Sequence, residues 1–412
     1  MENYKPEPKE YTHFKGFKTH EVQINSIDIS PIVAEMEIYQ DLFSPYWSAS
    51  LLISDANNAM HQHDFTQGDR VNIKIVAKDD TEHTFKFIIY QIGERGLITQ
   101  QHYGYQIQAV NEAFFKDAKI RISKQFDEKK ADVAIREILG KIGGTDLVSQ
   151  TNGQFSWIVP NMSPFAAAQW IAKWAIAKKS GAADILLFQQ KENEWSWGSA
   201  EEMFTDPARK SIKIEKFYML PANQRDDKGE AEKDYTFAME QYKFINHMNL
   251  LHSVYSGAIA NTTLVHDLVK RKASTNKFNY GQDVAADASN ATFKNMDGLE
   301  LANLAYHTIA PGNAGEGKES PNDNHQKWLG SRKSSMQKFE TNRLLVSIPG
   351  NIDIVDELGK WTMVELPTQE DITDDVLDLN YGNRYLITAM RHIWTQKSYT
   401  TFVELGKKRL KL

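Results

Sequence analysis

Gln337-Lys-Phe-Glu-Thr-Asn-Arg343 leads into Leu344-Leu-Val-Ser-Ile-Pro-Gly350, an apolar run closed by a Pro-Gly turn, and this stretch opens the part of the chain that decides its fold. A second run, Gly359-Lys-Trp-Thr-Met-Val-Glu-Leu366, is read with Trp361, Met363 and Glu365 on one face. Beyond an acidic connection come Tyr381-Gly-Asn-Arg-Tyr-Leu-Ile-Thr-Ala-Met-Arg-His-Ile-Trp394 and Tyr399-Thr-Thr-Phe-Val-Glu-Leu405. Aromatic and β-branched residues in short runs between turn formers mark antiparallel strands. Several such runs with little helix between them predict a small barrel, because closure removes exposed edges.

The same signal fills the N-terminal part. Val22 and Ile24 share a face, then Ala34, Met36 and Ile38, then Trp47, Ala49, Leu51 and Ile53. Further strands are expected at Val71–Ile75, Thr84–Tyr90 and Tyr103–Ala109. Repeated period-two alternation predicts an antiparallel barrel or sandwich with one buried face. Helix then interrupts. Asp127 to Gly140 carries Ala131, Ile135, Ile138 and Leu139 on a helical stripe that continues to Ile142, with Gly143-Gly144 as the stop. Ser163 is placed to cap a second helix with Pro164 in its first turn and Phe165, Ala168, Trp170, Ile171, Trp174 and Ala175 on its apolar side. Strands at Asp184–Phe188 and Glu194–Trp197 complete a small α/β module. Strand patterns return at Ser211–Tyr218 and Tyr235–Ile245, more faintly at Val254–Ile259, before a helix expected over Gly298–Ile309 and a polar loop from Pro311 to Asn324. Long polar loops of this kind order against partners.

The expected plan is mainly β with α/β insertions. It has a flexible start (1–19), a first β-barrel (20–118), an inserted α/β domain (119–208) and the first half of a second barrel (209–262). An insertion with helix and loop (263–336) and the closing half of the second barrel (337–412) follow. No residue-level repeat connects the two barrel regions, so any equivalence between them must be structural.

The chain has 412 residues, 25% of them charged and 41% hydrophobic, the profile of a globular protein of two to four compact units. No run approaches the ~18 apolar residues of a membrane span, so no stable membrane insertion is expected. The opening Met1-Glu-Asn-Tyr-Lys-Pro-Glu-Pro-Lys-Glu10 is polar and does not read as a signal peptide. Zero cysteines exclude disulfides and thiolate metal sites. A net charge of -6 argues against a dedicated, sequence-specific nucleic-acid binder.

The order of the four C-terminal runs resembles the closing barrel of phage baseplate hub proteins, a family that includes the hub portion of type VI secretion spike proteins. The segment Asp41-Leu-Phe-Ser-Pro-Tyr-Trp-Ser-Ala-Ser-Leu-Leu-Ile-Ser-Asp55, with Gly68-Asp-Arg-Val71 after it, is similar to the first barrel of such hubs. There it implies a strand pair and the loop that meets neighbouring subunits. Lys119-Ile-Arg-Ile-Ser-Lys-Gln-Phe-Asp-Glu128 resembles the junction where a barrel strand hands over to the inserted domain. The resemblance covers about half the chain. It implies a non-enzymatic virion protein of the tail baseplate, assembled in the bacterial host cytoplasm, in which three copies form a pseudo-sixfold ring. That ring joins a threefold central spike to the sixfold tail tube around the DNA-ejection channel. The implied partners are further copies of the chain (a homotrimer), the central spike protein and the tail tube protein, with the tape-measure protein and baseplate wedge proteins as further candidates. The chain holds no run of short repeats of the kind a β-helix needs, so the spike is expected to be a separate chain.

Every chemical motif has a plainer reading. Gly312-Asn-Ala-Gly-Glu-Gly317-Lys318-Glu319 has phosphate-loop spacing, but Glu319 stands where a hydroxyl should hold magnesium, and Pro311 and Pro321 flank it. Ser335-Met-Gln-Lys338 has acyl-transferase spacing without companion motifs and reads as a solvated helical turn. His61, His63 and Asp64 offer metal ligands without a companion set. Asp371, Asp374, Asp375 and Asp378 lack the alternation and glycine of a calcium loop. Lys407-Lys-Arg-Leu-Lys411 reads as a solvated basic end. Trp170, Trp174, Trp195 and Trp197 read as core and subunit contacts rather than a sugar platform. No catalytic, cofactor-binding or metal-binding residue is assigned, no cofactor is expected, and the interface residues are not assigned individually. The competing expectations are a tail-associated cell-wall hydrolase or glycan-binding protein, whose paired carboxylates any of the 54 acidic residues could supply, and an adaptor without symmetry mismatch.

Overall fold

In the computed structural model, the described residues are 17–56, 58–77, 79–93, 96–99, 102–219, 235–246, 250–267, 271–279, 305–310, 328, 330–332, 334–336, 339, 342–366, 378, 381–395 and 398–407. The first sheet region contains β1 (Phe17–Ile24), β2 (Ile27–Asp28), β3 (Val33–Asp41), β4 (Ser48–Asp55), the helical turn α1 (Ala59–Gln62), β5 (Arg70–Ala77), β6 (Glu82–Ile92), β7 (Gly96–Thr99) and β8 (His102–Asn111). Period-two alternation sends Val22, Met36, Ile38, Leu51, Ile73, Phe87 and Ile107 into one core. The same face of six strands meets itself there, so the sheet is curled around its own side chains. The link from β1 to β3 stays tied to β1: Ile29 N–H donates to the Val22 carbonyl and Val22 N–H to Ser30 Oγ, both at 2.8 Å.

The middle of the chain holds α2 (Ala113–Lys119), β9 (Ile122–Lys129), α3 (Ala131–Leu139), β10 (Gly144–Val148), β11 (Phe155–Met162), α4 (Pro164–Trp174), β12 (Ile185–Lys191), β13 (Glu194–Ser199) and α5 (Ala200–Thr205). Most of them build a second core in which Trp174, Trp195 and Trp197 are buried, with Trp170 packed against it. Ser163 caps α4 as expected, its hydroxyl accepting from Ala166 N–H, and Pro164 opens the helix. Asp117 of α2 also accepts from Phe165 N–H in that first turn at 2.7 Å, a tie between elements that sequence spacing does not announce.

Then follow β14 (Lys216–Tyr218), β15 (Gln241–Asn246), α6 (Leu250–Tyr255), β16 (Ala260–Asp267), β17 (Lys272–Asn279), β18 (Ala305–Ala310), β19 (Asn342–Pro349), β20 (Trp361–Glu365), β21 (Asn383–Thr395) and β22 (Tyr399–Gly406). β16, β17 and β18 make a small separate sheet. The remaining strands form the second sheet region around a third core, including Leu344, Val346, Val364, Leu386, Val403 and Leu405.

Several sequence expectations need correction. Ala305–Ala310 is a strand parallel to β16, not the end of a helix; residues 298–304 lie outside the described part. Val254 belongs to α6, and the strand starts only at Ala260. Asp127 and Glu128 extend β9, because Phe126 pairs with Trp157 across the ladder, and the helix begins at Ala131. Of Ser211–Tyr218 only the last three residues are strand, and of Tyr235–Ile245 only those from Gln241. In β20 Thr362 and Val364 are buried while Met363 and Glu365 are half exposed, so the inward face is the opposite of the one read from Trp361.

The two sheet regions repeat each other. The first has strand order β1-β5-β6-β8-β4-β3; the second has β14-β20-β21-β22-β19-β15, the same succession in chain order. All corresponding pairs are antiparallel except the outermost, where β14 runs parallel to β20. The match extends to single residues. Gly68 and Gly359 both adopt left-handed φ, +95° and +72°, a region open to glycine without strain. Gly68 N–H donates to the Ile89 carbonyl at 2.8 Å, and Gly359 N–H to that of Ile387 at 3.0 Å. Just beyond Ile89 and Ile387 the ladder to the next strand slips by one residue in both regions. Following the pairings outward makes Ala109 the counterpart of Leu405, Tyr103 of Tyr399, Ala49 of Leu344, and Ile38 of Phe244.

Candidate assembly interface

The two regions are joined edge to edge. β3 pairs antiparallel with the C-terminal half of β21 from Asp41↔Ala389 to Glu35↔Thr395, so one hydrogen-bonded sheet passes from β1 to β15. β21 is long enough to do this because its first residues pair with β20 and its later residues run past that strand. On the inner side of the seam, Met36, Ile38 and Gln40 of β3 lie beside Met390, His392 and Trp394 of β21, all buried. The β21–β22 hairpin thus reaches over the first region's core. Trp394 and Tyr399 stack there with ring centroids 4.5 Å apart, and both belong to that core rather than to their own region's.

His392 lies within this hairpin. Its Nδ1 is 2.9 Å from the Tyr399 hydroxyl and 3.2 Å from Thr401 Oγ1, and its ring stacks on Trp394. Burial, reinforced by the nearby His83, pushes the imidazole down to about 3, so it is neutral at physiological pH. His83 of β6 in turn meets Asp353, Nε2 to Oδ1 at 3.1 Å, which adds a second link between the regions. Burial also drives the Tyr399 phenol well above its ordinary value.

The outer side of the seam is polar and ion-paired. Glu37 binds Arg391, whose guanidinium lies 5.3 Å over the Tyr39 ring. Gln106 and Gln108 both donate to Ser50 Oγ, at 3.4 and 3.2 Å. Arg343 pairs with Glu404 at 2.9 Å, and Thr388 donates to the same carboxylate oxygen. Burial and the neighbouring Glu37 raise the Glu35 carboxyl. Beside the exposed Leu52, this face carries small amides, hydroxyls and paired charges.

Two loops lock the three cores together. In the β3–β4 loop, Leu42 enters the third core, Tyr46 packs on the second and Trp47 enters the first. Trp47 donates through its backbone N–H to Gln189 Oε1 and through its indole to the Gln189 carbonyl, each at 3.0 Å. Trp195 Nε1 donates to the Pro45 carbonyl at 2.8 Å. Leu42, Tyr46 and Trp47 of this loop are therefore committed inside the chain. The second loop follows β19: Ile352 and Val355 point into the first core, Ile354 and Leu358 into the third. Gln40 donates to the Val355 carbonyl at 2.9 Å, and Gln190 to that of Asp356. These buried glutamines were missed in the sequence; Gln40 left a signal, a polar residue at an inward position of an alternating strand.

The other sequence-predicted residues do not converge on a site. Gly312–Glu319 and Asp371, Asp374 and Asp375 lie outside the described residues. Asp378 closes a turn, accepting from Tyr381 N–H at 3.1 Å. His61 is in the α1 turn and not on a strand, while His63 and Asp64 are exposed after it. Among the described residues no three His, Asp or Glu side chains gather as a metal site. Ser335 is buried, as is Ser334, so that turn is not solvated; Lys338 lies outside the described part. Lys407 is no solvated tail either. It is buried against the Tyr385 ring and donates to the Gly382 carbonyl, and burial lowers its ammonium to about 8. No described helix is long and apolar enough to cross a membrane.

By sequence, no protein-family model and no curated protein matches the chain. Its structure does match solved ones. A tail protein from Neisseria meningitidis MC58 superposes with TM-score 0.56 at 11% identity, over 94% of this chain and 96% of its own. The 43 kDa tail protein of prophage MuSo2 from Shewanella oneidensis gives 0.55 at 8% identity, again over 94% and 96%. The chain has the phage tail-protein fold. A component of the E. coli type VI secretion system overlays less well, at TM-score 0.46 and 8% identity over 95% of this chain and 78% of that one.

Proposed function

We propose that this chain is a structural subunit of a tail baseplate hub, a virion component assembled in the bacterial host cytoplasm and without enzymatic activity. Three copies make a ring of six similar sheet units, joining a threefold central spike to a sixfold tail tube and surrounding the ejection channel. Residues 20–118 form one unit and 209–262 with 337–412 the other, while 119–208 and 263–336 are carried as insertions. The observation behind this reading is the duplication itself: two regions of like strand order, fused edge to edge through β3 and β21. A chain that already holds two copies of a unit in head-to-tail contact needs three copies to make six, and heterologous contacts of this type close into a ring where the rotation between units is one sixth of a turn. The polar, ion-paired outer face of the seam supports a channel lining, since paired charges present little free cation to bind a passing polyanion.

The partners in this reading are further copies of the chain, the spike and the tube, with tape-measure and wedge proteins beyond them. Light scattering on the full chain, alone and mixed with the spike protein, tests it: a mass of three chains is expected in at least one condition. A monomer that clears peptidoglycan, with clearing lost on carboxylate substitution, would overturn it in favour of a cell-wall hydrolase.

A further inference from the structure

We infer that β15 of one copy pairs with the end of β6 and with β7 of the next copy, and that exposed Tyr242 and Leu97 meet in that contact. The inference rests on the hub reading and names the surface through which its copies join.

The contact is already visible once inside the chain. β3 docks on the overrun of β21, and Met36 faces Trp394 across the seam, both almost fully buried. In the repeat, β15 is the counterpart of β3 and β6 of β21. The pairing Ile38↔Ala49 corresponds to Phe244↔Leu344, so Tyr242 stands where Met36 stands. Trp394 pairs with Tyr399 and Leu97 pairs with Tyr103, so Leu97 stands where Trp394 stands.

The two counterparts are bare. Leu97 is 62% exposed and Tyr242 42%, against 2% and 1% for Trp394 and Met36. Tyr90, on the same overrun of β6, is also exposed. Among the described residues β15 is hydrogen-bonded on one side only, to β19, over six residues without a bulge or proline. An edge with neither bulge nor proline and with an aromatic face is a template for another strand, even with Lys243 on its other face. Tyr242, Phe244 and Tyr381 form a ring cluster beside it, with centroids 5.8 and 4.7 Å apart. The occupant is a second copy, because the segment that covers the equivalent edge within the chain has its own equivalent in the other sheet region, uncovered among the described residues. Each copy therefore offers one β15 edge and one β6–β7 edge, and the association is head to tail.

The native sequence has no cysteine, which allows a clean test. Leu97→Cys and Tyr242→Cys are introduced into the full chain, together and singly, oxidised, and separated without reductant. Light scattering is run on the same samples under reduction. The pair should give covalent dimers and a closed trimer, and an equimolar mixture of the two single variants should give a heterodimer; neither single variant alone should form a ladder. A trimer in scattering with no covalent species from the pair would overturn the strand pairing and leave the hub reading standing. Monomer with no cross-link, both alone at the highest attainable concentration and mixed with the spike protein, would overturn both. Covalent ladders running past three copies would keep the pairing and overturn the ring of three. As a second measurement, Tyr242→Asp and Leu97→Asp should each weaken self-association at least tenfold with unchanged circular dichroism, since both side chains are exposed; unchanged association would overturn the proposal.

Discussion

The two sheet regions share strand order, a left-handed glycine and a slipped register, yet they differ at corresponding edges. In the first, β3 is covered by β21 and the hairpin beyond it; in the second, β15 has a described partner on one side only. In the proposed assembly the internal seam is a worked example of the contact between copies. The difference also separates two kinds of apolar residue that look alike in sequence: those that hold one chain together and those left for another.

The sharpest way to break this comparison is to truncate the same position in both regions. Trp394→Ala removes a buried indole that the second region contributes to the first region's core, and should destabilise the chain by about 4 kcal/mol. Leu97→Ala, at the counterpart position, removes an exposed side chain and should change monomer stability by less than about 0.5 kcal/mol. Denaturant unfolding of both variants at low protein concentration checks this. Equal losses would mean that Leu97 is structural and the repeat does not extend to the hairpins.

Much of the fold was legible because burial of one sheet face imposes a period of two. The inward sets Met36 and Ile38, then Trp47, Ala49, Leu51 and Ile53, could be read directly and are buried as read. The repeat was not legible. It lives in backbone hydrogen bonds, and beyond scattered matches such as Gly68 with Gly359 and Tyr103 with Tyr399 the side chains do not follow it: Ala109 answers to Leu405, and Ile38 to Phe244. Elements whose partners are distant in sequence were also lost. β18 is a strand because β16 offers it an edge, although Gly298 to Ile309 carries a helical pattern. Trp361 misled the reading of β20 because its indole is buried beside that strand, with Nε1 donating to the Asp206 carbonyl at 2.8 Å, while the core-facing residue is Val364. The candidate interface was hidden for a related reason. Gln40, Gln190 and His392 are ordinary polar residues until the fold brings a carbonyl or a hydroxyl to them.

The paired glycines sharpen the comparison at intermediate size. A Cβ at Gly68 meets nothing within 4 Å, so Gly68→Ala should cost about 1 kcal/mol for its left-handed backbone alone. A Cβ at Gly359 would also lie 2.7 Å from the Phe188 ring of the insertion and 3.0 Å from Met203, so Gly359→Ala should cost about 3 kcal/mol. The second region is thus held against the middle domain at the place where the first is open. Melting curves that rank the two variants in the reverse order would contradict that asymmetry.

The effect that vanishes at neutral pH and grows only on acidification concerns protonation at the seam. His392 has an ordinary value of 6.5 and is held at about 3 in the folded chain, so between those limits the unfolded chain binds a proton that the folded chain refuses. Stability from this residue is therefore complete above about pH 6.5 and declines as pH falls toward 3, by about 1.4 kcal/mol for each pH unit. The groups around it offer no relief. Tyr399 and Thr401 already face Nδ1, Nε2 is buried without a protein partner, and His83, itself beside Asp353, repels an added charge. A buried carboxyl elsewhere acts in the opposite direction. Burial raises Glu192 to about 7, so its proton uptake favours the folded chain as pH falls from 7 to 4.5. The two must be separated by substitution: His392→Gln should flatten the acid decline relative to the native chain, while Glu192→Gln should steepen it. Because His392 sits at the β3–β21 edge and not at that of β15, the native decline should accompany loss of the β3–β21 ladder, read as faster amide exchange along Glu35–Asp41. If those amides stay protected while stability falls, the seam is not where acid acts.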